Sequence, residues 1–267
     1  MKTIKNLVLG SSGFVGRPLC EYLRAQGEVV ETFDIKDSPD MDARRGGLPL
    51  EDIDRVYFLA WEVGGAKYLY KDDIQQRQLD WNMQLMLNVM PQLSARRIPF
   101  LFVSSQLAEE TDSAYGVTKR LGEVWTHIIA GVRVRLWNVY GGYEGQTERS
   151  HVVADFVWQA LRDNKIRMLT NGQERRQFVH IDDVCTGFHQ ALQSGSSDLV
   201  DITSFEWVRV LDVAELIGQL TGAEVIPGNQ SGRTPITPIK GKLTGWHAQV
   251  TLKEGLSRMI EVYRNAL

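Results

Sequence analysis

Cysteine is nearly absent: 267 residues hold two, Cys20 and Cys185. Each falls on the apolar face of a predicted helix, which excludes a disulfide framework, speaks against a metal pair and predicts buried thiols in a reducing compartment. Long apolar runs are missing too, and none approaches the ~18 residues a membrane-spanning helix needs. The opening Met1-Lys2-Thr3-Ile4-Lys5 runs into a short strand instead of a signal-peptide core, so the chain is expected to be soluble and cytoplasmic, without a membrane partner. Charge of one sign is scarce as well. Thirty Lys+Arg against 33 Asp+Glu leave a formal −3, which gives no general pull toward nucleic acid, so an anionic ligand must be met by local charge. No repeat or low-complexity stretch appears, and 43% hydrophobic with 24% charged residues is ordinary for a globular protein. The length suits one large domain or a domain with a smaller lobe.

What the chain does have is Gly10-Ser11-Ser12-Gly13-Phe14-Val15-Gly16 after the apolar run Leu7-Val8-Leu9. A strand that turns on glycines into a helix brings bare amides and the helix's positive end to a phosphate. The spacing is G-x-x-G-x-x-G, weak by itself, but Val15, Leu19 and Leu23 recur at helical spacing, Gly27 ends that helix, and residues 28–33 read as a second strand. Asp34 closes that strand, where a carboxylate accepts from an adenosine ribose and repels a 2′-phosphate, which predicts NAD over NADP.

Residues 35–55 read as a loop on the cofactor side, and 56–60 as a short buried strand ending at Ala60. Residues 61–70 form an irregular aromatic segment beyond that strand's carboxyl end. Leu79, Met83, Met86, Met90 and Leu93 make one helical stripe, with Asn82 beside it either satisfied by backbone or aimed at a site. A strand at 100–103 stops at Ser104-Ser105, and Tyr115-Gly116-Val117-Thr118-Lys119 opens a helix whose apolar face continues through Leu121, Val124 and Ile128. Val132, Val134 and Leu136 alternate as a sixth strand before Asn138. Strands alternating with helices predict an α/β fold: a Rossmann-type doubly wound parallel sheet with a smaller α/β C-terminal substrate lobe. The division expected is 1–150 for the cofactor domain with the catalytic residues and 151–267 for the substrate lobe, some segments of which return to the main domain. Within the latter, Asp182 or Asp183 caps a helix, 199–202 rejoins the main sheet, 212–220 is a helix ended by Gly222, and Thr251 to Glu254 has capping-box spacing. The loop 227–245 carries Arg233, Lys240 and Lys242, either as a diphosphate cover or as a solvated surface.

Tyr115 and Lys119, four apart, share a helix face, and with a strand-end serine they make a proton-transfer device. Lys119 favours the phenolate by charge while Ser105 holds a substrate oxygen.

Taken in order, the glycine turn, Asp34, Ser104-Ser105, Tyr115-x-x-x-Lys119, Arg135-Leu136-Trp137-Asn138-Val139-Tyr140-Gly141, Arg176-Gln177-Phe178-Val179-His180-Ile181-Asp182-Asp183 and Gly245-Trp246 resemble the extended short-chain dehydrogenase/reductases, in particular the nucleotide-sugar-modifying NAD-dependent epimerases and dehydratases. The resemblance implies Ser105, Tyr115 and Lys119 as catalytic residues, with Ser104 as the alternative to Ser105. It implies Gly10, Gly13, Phe14, Val15, Gly16, Asp34, Asp42, Ala43 and Ala60, with Tyr115 and Lys119, around NAD, and Asp42 and Ala43 near the adenine. Asn138, Arg176 and Arg233 would take the diphosphate of a nucleotide-sugar substrate, His180 would be structural, and no metal is implied. A homodimer is implied through the methionine-striped helix and the Tyr115 helix, with Trp125 toward the seam.

Departures narrow the chemistry. The dehydratases' Asp-Glu pair falls at Gln106 and Leu107, and the decarboxylases' glutamate falls at Gln106, so neither acid set is present. Residues 61–66 and 150–153 are similar to GDP-fucose synthase, a combined epimerase and 4-keto reductase, whose catalytic acid matches His151 but whose cysteine falls at Leu107. His151 either assists catalysis or caps the following helix. The expected function is an NAD-dependent nucleotide-sugar 4-epimerase or 4-keto reductase, the alternatives being an enzyme of GDP-fucose synthase type and a non-catalytic NAD(H) sensor.

Overall fold

The structure, a computed structural model, describes residues 2–145, 147–235 and 237–267, without the side chains of residues 66 and 67. Met1, in the opening segment, and the Ala66 side chain, in the segment 61–66, lie outside the described residues.

β1 (Lys5–Leu9), the glycine turn, α1 (Gly16–Ala25) and β2 (Val29–Phe33) come first, and Gly27 at φ +79° ends α1. β3 (Arg55–Phe58), a one-turn α2 (Ala66–Leu69), the long α3 (Asp72–Arg96), β4 (Phe100–Ser105), α4 (Ala114–Ile128) and β5 (Val132–Leu136) follow. The second half contributes β6 (Asn138–Tyr140), α5 (Val152–Asp163), β7 (Lys165–Arg167), β8 (Arg175–Arg176), β9 (Phe178–His180), α6 (Ile181–Ser194) and β10 (Leu199–Ile202). It closes with β11 (Val208–Arg209), α7 (Val210–Thr221), β12 (Glu224–Ile226) and α8 (Leu252–Ala266).

Six strands form one parallel sheet in the order β10-β5-β4-β3-β1-β2. Strand order reverses between β1 and β3, so the connections after these two strands leave to opposite sides and open a crevice at the carboxyl edge. One apolar layer packs α1 and α6 on one face (Leu19, Cys20, Cys185, Phe188), and α3 with α4 covers the other through Met86, Val89, Met90 and Leu93. Both thiols are buried and free, as expected. A third apolar cluster, drawn from β6, α5, α7 and α8, lies beyond the sheet. The strand at 132–136 is the fifth in chain order; the sheet's sixth member is β10.

Two helices are phased differently from the sequence expectation, and a third is capped differently. In α3 the buried face runs through Gln78, Asn82, Leu85 and Met86, while Leu79 is 47% exposed and Met83 only half-buried. Asn82 turns inward because its Oδ1 accepts from the Glu62 amide at 2.8 Å, and that fixes the rotation. In α4 the apolar residues Leu121, Val124 and Ile128 face outward, Ile128 at 73% exposure. The packed face is Gly116, Thr118, Gly122, Glu123 and Thr126, since a Cβ on Gly122 would come within 2.3 Å of the Phe102 ring and only small residues permit that approach. Trp125 is half-buried against the α3-side core instead of standing out among those apolar residues. For α6 the cap is His180, whose ring accepts from the Asp182 amide; Asp183 turns away to accept from the Gln249 and Val250 amides at 2.9 and 3.0 Å. Thr251 caps α8 as its spacing predicted.

α4 is bound to β5 by an ion pair in the interior. Arg135, fully buried, donates to Glu123 at 2.6 and 2.8 Å, and Ser104 Oγ donates to the same carboxylate at 2.6 Å. Removing one partner strands a charge in low dielectric. Glu123→Leu is expected to lower unfolding free energy by about 3–5 kcal/mol, and Glu123→Leu with Arg135→Met by less, as urea titration would measure.

Candidate active site

At the β1/β3 crevice the glycine turn is packed as tightly as backbone allows. Gly10 sits at φ +87°, and a Cβ there would meet the Ala60 amide nitrogen at 2.6 Å; one on Gly16 would fall 2.1 Å from the Gly10 carbonyl. Bare backbone is therefore required, and α1 has Val15 at its N-cap, with no side chain capping its amides. This is a cradle for a phosphate, and the residues fit a dinucleotide. Asp34, 8% exposed at the end of β2, accepts from the Ser12 amide at 3.0 Å and the Lys36 amide at 2.8 Å, which latches the turn to the neighbouring strand.

From this turn a cleft of about 1350 Å³ runs between the sheet's carboxyl edge and the C-terminal segments. Every predicted site residue lines it: Gly10, Gly13, Phe14, Val15, Gly16, Asp34, Asp42, Ala43, Ala60, Ser105, Tyr115, Lys119, Asn138, His151, Arg176 and Arg233. Their states differ. Asp42 is clasped by Arg44 through two bonds of 2.8 Å, which with Arg45 hold its carboxyl down at about 2, and Arg44 stacks 4.1 Å over the Trp81 ring. Ala43 is buried, with its carbonyl held by Asn88.

The two serines at the end of β4 separate by the pleat. Ser104 is spent on Glu123, whereas Ser105 accepts from the Leu107 amide at 3.2 Å and lies beside the Tyr115 phenol. Burial pushes that phenol up to about 12, and the Ser105 hydroxyl pulls the other way. Lys119, 4% exposed, donates to the Val103 carbonyl at 2.6 Å and sits 4.1 Å from the Trp61 ring centre. Burial holds its ammonium well below the ordinary range, with Glu123 opposing. The expected lowering of Tyr115 by Lys119 is not seen: burial raises the phenol and disfavours the ammonium that was to lower it.

On the opposite wall, Asn138 Nδ2 donates to the Gln177 carbonyl at 3.0 Å, Arg176 donates to the Arg175 carbonyl at 2.8 Å, and Arg233 is exposed. His151 occupies the N-cap position of α5, but its ring makes no cap bond, which removes the capping alternative. Its Nδ1 lies 2.7 Å from Glu144 Oε2, and its ring is 5.8 Å from Phe14 of the glycine turn. Several residues here escaped the sequence reading. Glu123 could have been found, one further turn after Lys119 on the same face. Glu144 and the buried Glu62, held by Arg149 at 2.9 Å, sit in loops without periodic signal. Among the described residues, no cluster of His, Cys, Asp and Glu could hold a metal ion, and no helix is long and apolar enough to cross a membrane.

Burial lowers the His151 pKa, but the hydrogen bond and charge of Glu144 more than reverse this, leaving it above 6.5. The resulting stabilisation is complete below the unfolded pKa and is lost as pH rises through the folded one. An imidazole NMR titration should place His151 above the ordinary value, and Glu144→Gln should lower it, since burial is then opposed only by the charge of Asp155.

The profile of the NAD dependent epimerase/dehydratase family matches residues 6–202. UDP-glucuronic acid decarboxylase 1 of Arabidopsis thaliana is 24% identical over 315 aligned positions, covering 100% of this chain and 71% of that protein. UDP-2-acetamido-2,6-beta-L-arabino-hexul-4-ose reductase of Pseudomonas aeruginosa is 28% identical over 81% of this chain and 57% of its own length. Among solved structures, UDP-glucose 4-epimerase of Thermotoga maritima with UDP-glucose superimposes with a TM-score of 0.82 at 22% identity, covering 98% of this chain and 99% of that one. With a six-stranded parallel sheet, a glycine cradle at its switch point and a family match over most of the chain, the protein belongs to the NAD dependent epimerase/dehydratase family.

Proposed function

We propose that the chain is an NAD-dependent enzyme that exchanges hydride at the hexose C4 of a nucleotide sugar, as a 4-epimerase or a 4-keto reductase. The observation that carries this is the meeting of Ser105, Tyr115 and Lys119 in the cleft that holds the glycine cradle, with Gln106 and Leu107, and no carboxylate, directly after Ser105. NAD, when bound, supplies the hydride acceptor and donor. Ser105 holds the C4 oxygen, Tyr115 gives or takes its proton, and Lys119, fixed by Val103, orients the cofactor side and lends charge when protonated. A phenol held up at about 12 is a proton donor at neutral pH, which favours reduction of a 4-ketone as the second reading beside epimerisation. His151, which lines the cleft and whose protonated form is favoured by Glu144, serves as an additional acid.

Residues 151–267 supply most of the substrate side in this reading, with Arg176 and Arg233 on the diphosphate and Asn138 beside them. The neighbour structure with UDP-glucose supports a nucleotide sugar as the substrate class. The exposed stripe of Leu79, Leu87, Leu121, Val124 and Ile128 on α3 and α4 supports a homodimer through these helices. Sedimentation should give a dimer, and Ile128→Glu a monomer.

Incubation with a panel of UDP- and GDP-hexoses decides the reaction: C4 epimers without net NADH mark the epimerase, NADH consumption with a 4-keto sugar marks the reductase, and neither rejects the proposal. Tyr115→Phe should lower kcat about 10²- to 10⁴-fold with NAD affinity unchanged. Arg176→Ala should raise KM about tenfold to a hundredfold, more than it lowers kcat, because charged hydrogen bonds to the diphosphate serve ground and transition states alike.

A further inference from the structure

The buried ion pair beneath the catalytic wall continues outward. Arg135 Nη1, on the side away from Glu123, lies 2.7 Å from Glu109 Oε1, and the same oxygen is 2.9 Å from Lys240 Nζ. Glu109 ends the 3₁₀ turn Gln106–Glu109 that follows Ser105 directly, and Lys240 belongs to the loop that carries Arg233. Three hydrogen bonds run alongside. Asp201 on β10 accepts from the Lys240 and Gly241 amides at 2.6 and 3.2 Å, and Thr237 Oγ1 donates to the Gln106 carbonyl at 3.4 Å.

The Glu109 and Lys240 side chains are each 31% exposed, so water only partly screens their pairing. Lys240 and Arg135 together hold the Glu109 carboxyl down at about 2, which keeps it charged throughout the physiological range. The covalent distance from Ser105 to Glu109 is one short turn, so Glu109 is a rigid post on the catalytic wall. Lys240, by contrast, sits in a loop whose described residues form no helix or strand beyond isolated bridges. A flexible loop bearing a phosphate ligand loses conformational freedom on binding unless something has fixed it beforehand.

We propose that Glu109 is a positioning residue for substrate: by pairing with Lys240 it pre-orders the loop that carries Arg233 against the wall that carries Ser105. The inference rests on the assignment of Arg233 to the nucleotide diphosphate, and it adds that diphosphate affinity depends on a contact made away from the diphosphate. Ser104, Glu123, Arg135, Glu109 and Lys240 then form one chain of charged contacts from the catalytic helix to the substrate loop.

Lys240→Met tests this without leaving Arg135 unpaired, because Glu109 stays in place beside it; Lys240→Arg is the conservative control. UDP is the probe, measured by calorimetry with NAD present, and amide hydrogen exchange of residues 237–243 is followed without UDP. Lys240→Met should accelerate that exchange and weaken UDP by about three- to tenfold, the cost of ordering one or two side chains and their loop at binding. NAD affinity should stay within twofold, and Lys240→Arg should restore both readouts. Faster exchange with unchanged UDP affinity in Lys240→Met, while Arg233→Ala weakens UDP, overturns the positioning role and leaves the diphosphate reading standing. Unchanged UDP affinity in Arg233→Ala overturns that reading and this inference with it. Unaltered exchange in Lys240→Met overturns the pre-ordering directly.

Discussion

Everything in the catalytic wall depends on a guanidinium that has no water. Arg135 is fully buried, and an isolated charge there would cost several kcal/mol after relaxation, so its surroundings must supply carboxylates on both sides. Glu123 supplies one and Glu109 the other. Meeting Glu123 in two bonds sets the rotation of α4 about its axis, and that rotation fixes Lys119 and Tyr115, one and two turns earlier on the same helix, over the end of β4. It also settles the serines: neighbours on a strand point to opposite faces, so drawing Ser104 under the sheet to Glu123 leaves Ser105 for the cleft.

The same constraint explains a surface that hydrophobicity alone predicts wrongly. Helix α4 has an apolar stripe, and sequence periodicity would bury it. The sheet instead takes the small and charged side, since Gly122 must lie against Phe102 and Glu123 must reach Arg135. The apolar residues are left outside, next to the exposed Leu79 and Leu87 of α3, where the sequence resemblance expected a second subunit.

How much of this was legible in the sequence follows from whether the signal is local. The glycine turn, the short buried strands, Gly222 at the end of α7 and Thr251 at the start of α8 are matters of backbone conformation and capping within a few residues, and all were readable. So was the placing of Ser105, Tyr115 and Lys119 in one cleft, because Tyr115 and Lys119 are related by helix geometry and Ser105 by the strand end. Side chains satisfied by distant partners were not. Asn82 rotates α3 for the sake of a loop twenty residues back, His180 takes the cap from Asp182 and Asp183, and Asp183 is drawn to amides more than sixty residues on. The phenol offers a subtler case. Sequence reasoning counted the charge of Lys119 in its favour and could not weigh burial, which raises one group and lowers the other.

With a net charge near zero, the molecule has no field to gather an anion, and each anionic moiety has to find its own local arrangement. The cradle around Gly10 and Gly16 uses backbone dipoles alone and is complete within the first two strands, where Asp34 holds it through the Ser12 amide. The opposite wall carries Arg176 and Arg233 on segments outside the six-stranded sheet. That asymmetry has a consequence for change. A substitution in the loop of Arg233 or at Glu109 leaves the close contacts around Gly10 and Gly16 untouched. Altering Gly10 or Gly16 instead forces backbone apart at contacts of 2.6 and 2.1 Å and moves α1 itself. The glycine turn is therefore fixed by sterics.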